Sequence, residues 1–352
     1  MKIVILDAKT LGDDLDLTSI KDIGNLVIYQ TTTKEETLAR VQNADIVITN
    51  KVVLSAEILE QCNRLKLICI SATGMNNVDI EYANLKNIYL KNVAGYSTKS
   101  VVQHTFAMLF FLLEKMSYYD KVVKDGIWSE SKLFTDVSKP FFEISGKKWG
   151  IIGFGRIGQE VAGIATSFGA EVSYYSTTGN NLKSAYPHKA LDTILATCDI
   201  ISIHAPLNEK TKYLLNECNL GYIKDKAILL NLGRGGIINE TDLAFEMNRR
   251  EIYAGLDVLE SEPIEKLNPL NSVKNQDRLL ITPHIAWTSI EARKKLIKGL
   301  ENNIRKFLET NPIEDSPDDK IEEVKEVIKE LEIKEKKKKK KDIEDPFNLG
   351  LH

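Results

Sequence analysis

Cysteine is scarce in this chain, and nothing in its spacing suggests pairing. Cys62, Cys69, Cys198 and Cys218 form no Cys-x-x-Cys pair and no metal-like grouping with the five histidines. No disulfide framework and no metal site are expected, and the thiols read as reduced, in a cytoplasmic protein. Long hydrophobic runs are also missing. No stretch of about twenty apolar residues occurs, so no membrane span is expected. The run "TFAMLFFLL" is too short and lies in a longer helical pattern, which reads as a buried helix. "MKIVILDAKT" is interrupted by Asp7 and reads as a first strand rather than a signal peptide. An excess of one charge sign is absent too. A net charge of -3 excludes a general affinity for nucleic acid or for an anionic membrane.

What is present is ordinary for a globular protein: 43% hydrophobic and 28% charged residues. A length of 352 residues suits two domains, each with its own core. Short apolar runs alternate with amphipathic stretches. "KIVILD", "NLVIY", "ADIVIT" and "LKLICI" read as buried strands, and "KKWGIIGFG", "AEVSYYS", "CDIISIHAP", "AILLNLG", "EIYAGLDV" and "RLLITPH" repeat the habit. Strand alternating with helix gives an α/β fold, here two doubly wound parallel-sheet domains with a C-terminal tail. A helix over about 100–124 marks the first crossing between domains. The long helical pattern "TSIEARKKLIKGLENNIRKFLE" marks the return. The expected division is 1–100 with 286–312, an inserted domain over 101–285, and a helical, Lys-rich tail over 313–352.

In that tail Ser316 reads as an N-cap, with Pro317 in the first turn and Asp319 completing a capping box. Ile321, Val324, Ile328 and Leu331 form one apolar stripe. Lys336 to Lys341 read as a solvated linker between acidic neighbours. The helix is open to docking on the body or on a partner of unknown kind.

"GIIGFGRIGQEVA" sets Gly153, Gly155 and Gly158 in a Gly-x-Gly-x-x-Gly pattern after an apolar strand and at a helix start. Gly153 permits a tight turn, Gly155 admits a pyrophosphate against the backbone, and Gly158 lets helix and strand pack. Arg156 and Ile157 complete the loop, whose helix N-terminus offers N–H groups and positive partial charge to phosphates. NAD is the expected cofactor. An acidic residue normally ends the next strand to meet the ribose hydroxyls, but Ser176 stands there. Its neutrality leaves NADP open, with no arginine nearby and Lys183 the closest downstream cation.

Three more strand ends carry chemistry. "NLGRGGIINE" exposes Arg234, "GLDVLESEP" exposes Asp257 and then Glu262, and "TPHIAWTS" supplies His284. A guanidinium can grip a substrate carboxylate and polarise its ketone. An imidazolium can protonate the alkoxide that forms after hydride transfer, and a carboxylate on its other nitrogen orients it. By itself, a histidine in apolar company is also compatible with a packed core residue. His104 reads as a satisfied structural polar group or a neighbour of the cofactor; His188 and His352 read as surface residues.

With "ATGMNNVD", "GYSTKSVVQHTFAM" and "HAPLNEKT", these segments make seven motifs in order, and the chain resembles the D-isomer-specific 2-hydroxyacid dehydrogenases up to about residue 312. The resemblance implies a flavodoxin-like substrate domain and a Rossmann dinucleotide-binding domain. It implies Arg234, Glu262 and His284 as the catalytic trio, with Glu262 orienting His284 and raising its pKa. It places Asp257 at the nicotinamide carboxamide, and His204, Pro206 and Thr211 beside the cofactor. Backbone N–H groups near Thr73 and Gly74 would receive the substrate carboxylate. Within the family the chain looks most like glycerate dehydrogenase (hydroxypyruvate reductase), through "TNKVVL" with Lys51 and "HIAWTS" with Trp287. That implies reduction of a small 2-oxo acid, hydroxypyruvate or glyoxylate, to the D-2-hydroxy acid by a homodimer. D-lactate-type dehydrogenase is an alternative. A second class of reading is an NAD(H)-sensing interaction protein like the C-terminal binding proteins.

Overall fold

Every ladder in the two sheets of this chain is parallel. The computed structural model describes residues 1–179 and 184–313. Lys183, the Ser316 capping box, the apolar stripe, the lysine run and His352 lie outside the described residues. Among the described residues, Met1–Ala94 with 294–313 form one compact unit, and Gly95–Arg293 form the other.

The first unit contains β1 (Lys2–Ile5), β2 (Asn25–Ile28), β3 (Ile46–Thr49), β4 (Leu67–Ile70) and β5 (Tyr89–Asn92), ordered β2-β1-β3-β4-β5. That is the flavodoxin-like order. Its helices are α1 (Thr18–Lys21), α2 (Lys34–Val41), α3 (Ala56–Glu60) and α4 (Ile80–Leu85). β3 and β4 are buried along their whole length, as central strands covered on both faces must be. β5, reading YLKN, alternates exposed and half-buried positions. It has no apolar run, and the sequence reading missed it. The last helix, α10 (Ile290–Thr310), covers this edge. Phe307 packs 5.2 Å from the Tyr89 ring, and Asn303 Nδ2 donates to Asn92 O at 2.9 Å.

The second unit holds β6 (Lys148–Ile152), β7 (Glu171–Tyr175), β8 (Ile200–Ile203), β9 (Ile228–Asn231), β10 (Tyr253–Leu256) and β11 (Leu279–Ile281), ordered β11-β10-β9-β8-β6-β7. A bridge from Tyr174 to His188 extends the sheet beyond β7, giving the outward winding of a Rossmann domain. Strand order reverses between β6 and β8, so the loops after these two strands leave a crevice at the carboxyl ends of the strands, where open α/β sheets bind ligands. Helices α5 (Thr98–Leu113), α6 (Met116–Lys124), α7 (Arg156–Ser167), α8 (Leu191–Thr197) and α9 (Glu240–Arg249) complete the unit. One core gathers Leu109, Trp149 and Val161, and a second gathers Ile194, Leu215 and Leu243.

The single helix expected over 100–124 is two helices. Lys115 sits in the left-handed region at φ 57° and ends α5 without a glycine. Its Nζ donates to Leu112 O at 2.9 Å and lies 3.5 Å from the Tyr253 ring centre, so the lysine caps the helix it interrupts. Among the described residues no helix is long and apolar enough to cross a membrane.

Candidate active site

The glycine loop joins β6 to α7. Gly153 has φ 90°, and a Cβ there would stand 2.7 Å from Ala205 N, so the segment just after β8 passes too close for any side chain. A Cβ on Gly158 would meet Gly153 O at 2.4 Å, which fixes how tightly α7 leaves the strand. At Gly155, the N-cap, a Cβ would meet nothing within 4 Å. Two glycines are therefore demanded by packing, while the third leaves open space at a helix N-terminus, as a bound pyrophosphate requires. Arg156 and Ile157 start α7, and the Arg156 guanidinium lies against Gly95, where a Cβ would meet its Nη1 at 2.4 Å.

β7 ends at Tyr175, and Ser176 after it is buried. At the end of β8 both ring nitrogens of His204 are buried without a hydrogen-bond partner. Burial pushes this imidazole down to about 3, so it is neutral at physiological pH. Thr211 is fully buried. Its hydroxyl donates to Pro206 O at 2.7 Å and accepts from Asn208 N at 2.8 Å, closing the turn that leaves Pro206 exposed. An orphaned imidazole beside an open glycine cradle fits a dinucleotide with polar atoms of its own.

Arg234 follows β9 in a loop of glycines. Asn231 folds this loop back, accepting from Gly233 N and donating to Arg234 O, both at 3.0 Å. Gly233 lies under Ala205 O and Gly235 under Leu259 O, where Cβ atoms would sit 2.6 Å and 1.7 Å away. The guanidinium donates from Nη1 to Gly233 O at 2.8 Å, and no carboxylate among the described residues pairs with it. Tyr96 is close by. Burial pushes its phenol up, and the Arg234 charge opposes that. Tyr96 also meets the Trp287 ring edge-on at 6.2 Å.

His284 has φ 53°, an uncommon conformation for a residue with a Cβ. Its Nδ1 lies 2.7 Å from Glu262 Oε2. A carboxylate only accepts, so Nδ1 carries a proton and Nε2 faces outward without a partner among the described residues. Glu262 Oε1 accepts from Leu259 N at 3.1 Å. Asp257, fully buried at the end of β10, accepts from Thr282 Oγ1 at 2.6 Å, Ile285 N at 2.8 Å and Ala286 N at 3.0 Å. The Thr282 proton is thereby committed, so His104 Nε2, 3.1 Å away, donates to that hydroxyl. Ser100 on α5 donates to Ala286 O at 2.6 Å, holding the same stretch from its other side.

Arg234, Asp257, Glu262 and His284 thus all follow strand ends of one sheet. His104, Thr282, Ser100 and Tyr96 support them and were not read as site residues from sequence, since nothing local to "QHTF" or "GYST" reveals a bond to a loop more than a hundred residues away. In the first unit Lys51 follows β3 and is exposed, its N–H held by the buried Asp7 carboxylate at 2.7 Å. Thr73 and Gly74 follow β4, and Thr73 O accepts from Asn92 Nδ2 at 2.6 Å.

Residues 106–286 match the model of the D-isomer specific 2-hydroxyacid dehydrogenase NAD-binding domain. A hydroxypyruvate reductase from Blautia hydrogenotrophica is 37% identical over 89% of this chain and 98% of its own. A D-lactate dehydrogenase from Aquifex aeolicus, solved with NAD and lactic acid, superposes at a TM-score of 0.77 with 26% identity over 88% of this chain and 96% of that one. An acyclic imino acid reductase solved with NADPH and D-Arg superposes at 0.78 with 30% identity over 89% and 99%.

Proposed function

The chain belongs to the D-isomer-specific 2-hydroxyacid dehydrogenases and is an enzyme of that kind, and from that premise we propose that it reduces hydroxypyruvate, and glyoxylate beside it, to the D-2-hydroxy acid. The observation that carries this reading is the 2.7 Å contact of His284 Nδ1 with Glu262 Oε2, which leaves Nε2 free to hand over a proton. Arg234 has no carboxylate partner among the described residues, so its fork can take the substrate carboxylate and draw electron density from the oxo group. His284 Nε2 protonates the new alkoxide in reduction and takes the proton back in oxidation. Glu262 keeps the ring turned with Nδ1 inward and compensates its positive charge.

The glycine loop, with Arg156 and Ile157, would hold the pyrophosphate, and Ser176, His204, Pro206, Thr211 and Asp257 would border the rest of the dinucleotide. A nicotinamide bound there supplies the hydride in reduction and accepts it in oxidation. NAD is the proposed partner. Ser176 brings no carboxylate to repel a 2′-phosphate, yet no arginine stands near it in the sequence to bind one. Lys51, Thr73, Gly74 and Trp287 are proposed as substrate contacts.

A homodimer is proposed from the apolar surface of residues 127–141, where Trp128, Leu133, Phe134, Val137 and Phe141 are all exposed. A monomer in sedimentation would refute it. Four free thiols support a reducing, cytoplasmic setting.

The test is NADH oxidation with hydroxypyruvate, glyoxylate and pyruvate, each repeated with NADPH. Fast turnover of hydroxypyruvate with NADH is expected. A preference for pyruvate would favour the D-lactate alternative. Cofactor binding with no turnover of any pair would refute hydroxypyruvate, glyoxylate and pyruvate as substrates and favour an NAD(H)-sensing role for this member of the family.

A further inference from the structure

Glu240, the first residue of α9, is a buried carboxylate that the mechanism above does not use. Its Oε1 accepts the N–H of Glu260 at 2.6 Å, and its Oε2 accepts from Asn268 Nδ2 at 2.7 Å. Glu260 answers in kind, its Oε1 accepting the N–H of Glu240 at 3.0 Å. The Asn268 amide cannot turn over, because its Oδ1 already caps Leu270 N at 2.9 Å. Only an ionised carboxylate offers acceptors on both oxygens and no donor, which is what these two N–H groups demand. Burial pushes the Glu240 carboxyl above the usual carboxylate range, with the charges of Glu260 and Glu262 adding to that; the hydrogen bonds from Glu260 N–H and Asn268 oppose it.

The clamp closes on the turn that carries Glu262. Glu260 lies two residues before it. Leu259, whose N–H bonds Glu262 Oε1, sits directly over Gly235. Gly235 in turn follows Arg234. One short turn, residues 259–262, is therefore gripped by Glu240, by the arginine loop and by Glu262 itself.

We propose that Glu240 is a positioning residue for proton transfer: its carboxylate locks the turn 259–262 and so holds Glu262 against His284 Nδ1. The proposal rests on the dehydrogenase reading, in which that contact aims the proton at the substrate.

The test uses the full chain with Glu240→Gln, Asn268→Asp and the two together. In Glu240→Gln one amide N–H must face a donor. In Asn268→Asp two carboxylates face each other. In the double variant the new glutamine accepts from Glu260 N–H and donates to the new aspartate, whose second oxygen still caps Leu270. Each single variant is expected to lower kcat by roughly ten- to a hundredfold, the scale set by small misplacement of a reacting group. The Kd for NADH should stay within about twofold, since neither side chain hydrogen-bonds to the glycine loop, and the double variant should regain most of kcat. A second readout needs no turnover: the ¹⁵N signal of His284 Nδ1, assigned by its loss in His284→Asn, should shift in both single variants and return in the double. Unchanged kcat and signal in Glu240→Gln, or a double variant as poor as the singles, would overturn the proposal. So would NADH binding lost in step with kcat. A wild-type chain inactive on all three oxo acids would refute the proposed substrates instead, and the His284 signal would still decide whether Glu240 sets the contact.

Discussion

The carboxylate of Asp257 accepts the N–H of Ile285 at 2.8 Å, and with that one bond it fixes the peptide immediately after His284. Its other oxygen takes Ala286 N at 3.0 Å. His284 is held at φ 53° between Thr282, whose carbonyl accepts its N–H at 2.9 Å, and these two anchored residues. A conformation of that kind persists only where the surroundings over-determine it. Asp257→Asn turns one acceptor into a donor aimed at a backbone N–H. The loop should loosen, and kcat should fall by about 10², the cost of a small displacement of a catalytic group. Steady-state kinetics beside a melting curve checks this. A folded Asp257→Asn variant with wild-type kcat would show that the loop holds itself.

His284→Asn should lower turnover by about 10² to 10⁴, the range for loss of a general acid. Glu262→Gln should lower it less, because Gln can still accept the Nδ1–H bond through its oxygen while losing the charge. Binding of NADH, followed by fluorescence, should survive both changes, since neither side chain belongs to the glycine loop. Equal loss of binding and turnover would place the two residues in folding rather than in proton transfer.

The segments that carry the proposed site residues were legible in the sequence. The glycine loop and the three strand-end segments are local patterns, and a strand end in a parallel sheet is where such loops converge. The supports were not legible for the opposite reason. Asp257 finds its donors at Thr282, Ile285 and Ala286, and Glu240 finds Glu260 and Asn268, across separations of some twenty to thirty residues that no periodicity encodes. Glu240 closes the same segment that presents Arg234, yet its segment alone gives no reason to bury a charge. β5 escaped notice because an edge strand needs no continuous apolar run. The break at Lys115 escaped because neither glycine nor proline marks it.

Gly235 and Gly163 should respond oppositely to alanine. At Gly235 the new Cβ would stand 1.7 Å from Leu259 O, a backbone atom that cannot move without shifting the turn to Glu262. Destabilisation of about 1–3 kcal/mol or more is expected, with kcat falling along with it. At Gly163, exposed within α7, a Cβ meets nothing within 4 Å. Alanine there should stabilise by roughly 0.5–1 kcal/mol through helix propensity, leaving kcat alone. Denaturant titrations of the two variants decide it. A neutral Gly235→Ala would mean that the turn adapts freely and does not couple Arg234 to Glu262.

His204 should make the protein sensitive to acid. Its imidazole sits at about 3 in the fold against an ordinary 6.5, because burial disfavours the charged form. Above pH 6.5 both folded and unfolded chains hold it neutral, and it contributes nothing to the pH dependence. As pH falls below 6.5 the unfolded chain takes up the proton and the folded chain does not. Stability then declines by roughly 1.4 kcal/mol per pH unit toward pH 3, on account of this residue alone. His204→Leu removes the titration and also the two orphaned nitrogens, whose burial costs on the order of 1–3 kcal/mol. The variant should therefore be more stable without cofactor at every pH, and its stability should fall less steeply between pH 6.5 and pH 3. It should also bind NADH more weakly, if the imidazole meets a polar atom of the dinucleotide as proposed. Urea titrations across that range, paired with NADH binding at neutral pH, separate the two effects. A His204→Leu variant that gains stability and keeps full NADH affinity would leave His204 beside the cofactor site with no part in holding the cofactor.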